Sequence, residues 1–71
     1  MFVFKGYKGV EYQADYGWSI SDINGRTGKL VSVFYDPAGS TEATLVVDTN
    51  YQATIQIRES EISFVCAEGV A

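Results

Sequence analysis

The sequence predicts an all-β fold, a small five- to six-stranded antiparallel barrel or orthogonal sandwich, and two observations carry that expectation. Residues 51–58 alternate without a fault, with Tyr51, Ala53, Ile55 and Ile57 on one side of an extended chain and Gln52, Thr54, Gln56 and Arg58 on the other. Successive side chains in a strand point to opposite faces, so this is the pattern of a half-buried antiparallel strand. Elsewhere, apolar residues at helical spacing never persist beyond one turn, while seven glycines and one proline punctuate short runs of β-branched and aromatic residues. Residues 1–71 are expected to form a single domain, because a chain of this length supports one core at most.

The elements follow in order. Residues 2–5 read as a first strand, with Gly6 and Gly9 flanking Tyr7 and Lys8 where a bulge or turn needs small residues. Val10, Tyr12 and Ala14 alternate with Glu11, Gln13 and Asp15 as a second extended piece. A turn is predicted over residues 15–18, since Gly17 can take a positive φ, and residues 18–20 resume a strand. Residues 21–25 gather turn formers around Asn24-Gly25, a hairpin signal, and Gly28 three residues on implies a connection longer than a two-residue turn.

Residues 29–35 are apolar on both sides, with Val31, Val33 and Tyr35 on one and Leu30, Ser32 and Phe34 on the other. Such a strand is central, or covered on its second side by a loop or a partner. Pro37 and Gly39 spell a turn over residues 36–39. Residues 43–47 form the next strand, and residues 48–50 a short hairpin loop into the alternating strand. The pattern breaks over residues 58–61, where a single 3₁₀ turn fits, before Ile62, Phe64 and Cys66 form a last short strand. Little holds the tail, residues 67–71. The core expected from this pattern is Leu30, Val31, Val33, Phe34, Leu45, Val47, Ile55, Ile57, Ile62 and Phe64.

Composition narrows the function classes. With no histidine and a single cysteine, Cys66, the chain lacks the commonest general base, a zinc-ligand cluster and an internal disulfide. No enzyme activity, metal or cofactor is expected, and Cys66, between Val65 and Ala67, reads as an inert, partly buried thiol. No apolar stretch reaches the roughly 18 residues of a membrane span and no basic segment precedes a long apolar run, so a cytoplasmic protein is expected, with no membrane partner. The net charge of −4 is uneven: residues 1–35 carry four bases against three acids, residues 36–71 one base against six.

The block 25–33, followed by a turn, a valine-rich strand, an alternating strand and the short run from Glu61 to Phe64, resembles SH3-like small β-barrels. The KOW-type arrangement, in which a glycine precedes a strand that bends into a hairpin, is the nearest within that superfamily, and the resemblance covers residues 25–65. It implies a small barrel that binds peptides, nucleic acid or neighbouring subunits, without selecting among them.

A protein partner is the first expectation: a small acidic protein-binding module, an accessory subunit or inhibitor docking on a larger assembly, encoded by a phage or other mobile element. Tyr12, Tyr16 and Trp18 lie around the Gly17 turn, and amphipathic aromatics on loops of a rigid scaffold make interface anchors. Asp36, Glu42, Glu59 and Glu61 would steer the partner, or together with Asp48 imitate phosphates. The alternative is single-stranded nucleic-acid binding through the N-terminal half, where Lys5, Lys8, Arg26 and Lys29 interleave with Tyr7, Tyr12, Tyr16 and Trp18. The negative net charge works against that alternative.

Overall fold

A computed structural model describes residues 1–35, 42–49 and 53–67. Among the described residues seven strands form two antiparallel sheets: β1 (Phe2–Lys5), β2 (Glu11–Ala14), β3 (Ser19–Asp22), β4 (Thr27–Tyr35), β5 (Ala43–Asp48), β6 (Thr54–Arg58) and β7 (Ile62–Cys66). β1 and β2 make a two-stranded hairpin, and the other five are ordered β6-β5-β4-β3-β7. The chain thus meanders from β3 to β6, passes through a 3₁₀ turn at Glu59–Glu61, and returns β7 to the far side of β3. The turn expected over residues 36–39 and most of the tail lie outside the described residues, as do Tyr51 and Gln52.

The expected barrel is not closed. β6 and β7 are the two ends of the five-stranded ladder and do not pair with each other. The physical reason is the N-terminal hairpin: β2 packs beside β7, so closing the ladder is left undone and a second small sheet contributes Phe4 and Ala14 to the core instead.

The alternating strand keeps its pattern over the described part. Ile57 is fully buried, Ile55 packs against the core, and Thr54, Gln56 and Arg58 are exposed. Its register against β5 runs unbroken from Arg58 opposite Thr44 to Thr54 opposite Asp48. Leu30, Leu45, Val47 and Ile62 complete the expected buried set, with Val33 packed at its margin. Phe4, Ala14, Ile20 and Ala43 are also fully buried, so the first twenty residues supply core that the sequence pattern assigned to later strands.

Three expected core residues point away from it, and two bulges explain them. In β4 the register to β5 jumps between Leu30 and Ser32, leaving Val31 as the extra residue. A bulge inserts one residue and resets the alternation. Leu30 and Val33 both face the core as a result, while Val31 and Phe34 remain 48% and 56% exposed. In β7, Ser21 pairs with Phe64 and Asp22 with Ile62, so Ser63 is the extra residue and Phe64 is turned out, 59% exposed.

Candidate protein-interaction surface

The three aromatics expected to act together occupy three different situations. Tyr12 lies on β2, opposite Phe4, with its ring packed against the core and its hydroxyl donating to the Ser63 carbonyl at 2.9 Å. A Cβ on Gly6 would sit 2.6 Å from that ring and from the Ile62 carbonyl, so a glycine is needed for this close approach. Tyr12 is therefore a tie between β2 and β7. Trp18 is partly buried against the core, and its carbonyl accepts the Leu30 N–H at 2.9 Å. Tyr16 alone is well exposed, its ring set edge-on to Phe2 with centroids 5.2 Å apart, and the Phe2 ring stacks in turn on Phe4. The Gly17 turn that carries Tyr16 is closed by a hydrogen bond from Trp18 N–H to the Asp15 carbonyl.

The acidic residues also separate. Glu59 is held by backbone donors, accepting Lys5 N–H at 2.8 Å through Oε2 and Ala43 N–H at 2.9 Å through Oε1. Its carboxylate ties β1 to the start of β5. Glu42 shares with it a shallow depression that Lys5 and Gly6 also line. Glu61 faces a different, open concavity of about 570 Å³ with Asn24, Arg26, Thr44, Gln56 and Arg58. Asp36 lies outside the described residues.

Of the basic residues in the nucleic-acid alternative, Lys8 lies over the Tyr7 ring at 5.7 Å, Arg26 is held to Asp22, and Lys29 sits on β4 opposite Asp48.

Asp22 is the polar residue that the sequence pattern did not single out. It is 3% exposed at the head of the β3–β4 hairpin. Oδ1 accepts the N–H groups of Asn24 at 3.0 Å and Arg26 at 2.9 Å, and Oδ2 accepts Arg26 Nε at 2.8 Å. Gly25 N–H donates to the Asp22 carbonyl and Gly25 takes φ +83, giving a three-residue loop closed by an aspartate. Burial pushes the Asp22 carboxyl up, but the Arg26 backbone and side-chain bonds, the guanidinium charge and the Asn24 bond together hold it below its ordinary value. The signal was present: an aspartate two residues before Asn24-Gly25 is the first position of a type I turn.

The apolar surface left over lies elsewhere. Val31 and Phe34 are exposed on the half of β4 that runs past the end of β3 and pairs only with β5 among the described residues, and Tyr35 at the end of the same strand is 65% exposed. Cross-strand, Phe34 neighbours Thr44 and then Arg58. Cys66, expected to be partly buried, is an exposed free thiol at the end of β7. Among the described residues no three His, Cys, Asp or Glu side chains gather as a metal site, and no helix is long and apolar enough to cross a membrane. No family model, curated protein or solved structure matches the chain.

Proposed function

We propose that this chain is a small protein-binding module, an accessory subunit or inhibitor that docks on a larger assembly, and that its fold is SH3-like. The fold reading is supported by the succession of elements over the residues that carry the resemblance: the β4–β5–β6 meander, then a 3₁₀ turn, then β7. The observation that carries the function is the outer side of β4. On the half of β4 that pairs only with β5 among the described residues, Val31 and Phe34 face away from the core, and this is the apolar surface that a partner covers. Phe34 is the anchor, Arg58 on the same cross-strand row lies on the polar rim, and Tyr16 is the exposed member of the aromatic trio.

The test is capture from the source cell with wild type, Phe34→Ser and Tyr16→Ser, each checked for an unchanged thermal melt. Once the captured protein is purified, Phe34→Ser should weaken its binding by about 2 kcal/mol or more, the loss typical of a truncated aromatic anchor. Undiminished binding by both variants would remove this surface from consideration, and saturable binding of single-stranded RNA or DNA at low salt would favour the nucleic-acid alternative.

A further inference from the structure

Strand β6 ends the five-stranded sheet, and among the described residues it pairs only with β5. Its other edge presents backbone donors and acceptors of the kind that recruit a further strand. Over Thr54–Arg58 the segment has no proline, no lysine and no break of register against β5, and its one charge, Arg58, stands at its end. The opposite edge is different, since β7 carries a bulge and has Tyr12 seated on it.

We propose that β6 pairs antiparallel with β6 of a second copy of this chain, about a two-fold axis through Gln56, to give a continuous ten-stranded sheet. The occupant follows from the self-complementarity of the segment. Antiparallel pairing centred on Gln56 sets Ile55 of one copy opposite Ile57 of the other on the core side. It sets Gln56 opposite Gln56, and Thr54 opposite Arg58, on the outer side. No like charges oppose one another in this register. Ile55 is only partly buried within one copy, so apolar surface remains to be covered at this edge.

Charge supports the same register. Asp48 lies opposite Thr54 within the chain, so Arg58 of the second copy falls on the same row as Asp48 with the small Thr54 between them. Two strand spacings, about 10 Å between Cα atoms, separate them, and the guanidinium can reach across the threonine. The two-fold axis makes two such pairs. Glu59, which would otherwise bring another carboxylate to this edge, is turned back onto the N–H groups of Lys5 and Ala43. An isologous contact of this kind also closes on itself and stops at two copies.

Sedimentation equilibrium of the whole chain, over about 10 μM to about 1 mM to span weak affinities, tests the proposal. Wild type should show a concentration-dependent monomer–dimer equilibrium. Gln56→Lys and Gln56→Glu, each alone, put like charges at the axis and should raise the dimer dissociation constant at least about fivefold. An equimolar mixture of the two should recover dimer, since only the mixed pair sets lysine opposite glutamate. Gln56 is exposed in one copy, so both variants should melt like wild type at low concentration. A wild-type chain that stays monomeric throughout overturns the proposal, as does a dimer indifferent to Gln56 charge or a mixture that gives no recovery.

Discussion

The two ends of the five-stranded sheet are held in opposite ways. β7 is fixed from the side, by the Tyr12 hydroxyl on Ser63, by the Glu61 carbonyl that accepts Ile23 N–H, and by Gly6 packed under Ile62. Among the described residues β6 is held by its face and by β5, through Ile57 and Ile55 over the core. The polar ties are concentrated where the N-terminal hairpin meets the sheet, and the plain strand is left at the other end. A protein with few residues cannot cover every edge, and the edge left without ties is the one available for pairing.

The largest effect expected from this contrast is at Ile57. Its truncation to alanine removes the fully buried side chain of this strand, and should cost about 2 to 5 kcal/mol. Gln56→Ala on the same strand should change the melt little, and equal losses from the two would mean that the face of β6 has been misassigned.

Next comes the aspartate at the β3–β4 hairpin. Asp22→Asn removes the charge that accepts three hydrogen bonds and should cost about 1.5 to 3 kcal/mol, as hydrogen bonds to charged groups do. The pH dependence has a definite sign. Because the folded carboxyl lies below its unfolded value, its stabilisation is complete above about pH 4 and disappears as pH falls through the lower, folded value. Chemical denaturation from neutral to acid pH should therefore show a smaller loss in Asp22→Asn than in wild type. An equal acid loss in both would show that other carboxylates dominate.

Smallest is Tyr12→Phe, which keeps the ring and removes one hydrogen bond, for about 0.5 to 1.5 kcal/mol. Amide exchange sharpens the comparison here, because protection should fall along β7 and stay as it was along β6. Uniform loss across the sheet would mean that the two ends unfold as one unit.

Much of the strand plan is legible in the sequence, because period-two alternation and glycine-marked turns are local signals. β1, the Asn24-Gly25 hairpin, β6 and the 3₁₀ turn after it follow from neighbouring residues alone. The bulges are not legible. Val31 and Ser63 carry no glycine or other mark, and the register jump at each depends on the strand opposite. That is why Phe34 and Phe64 look like core and are exposed. Glu59 reads as a solvated turn carboxylate because its two donors lie 54 and 16 residues away in the chain. The aromatic trio divides for the same reason: what seats Tyr12 is Ser63, which a local reading cannot bring beside it.

The long ties also set an order in time. Lys5 waits for Glu59 and Tyr12 waits for Ser63, across 54 and 51 residues of chain. The β3–β6 meander can zip through successive short turns, whereas pairings between distant residues come late because the intervening loop must close first. Residues 2–14 thus leave the ribosome before the segment that receives them, and β1 and β2 take their places only after residues 59–63 have been made.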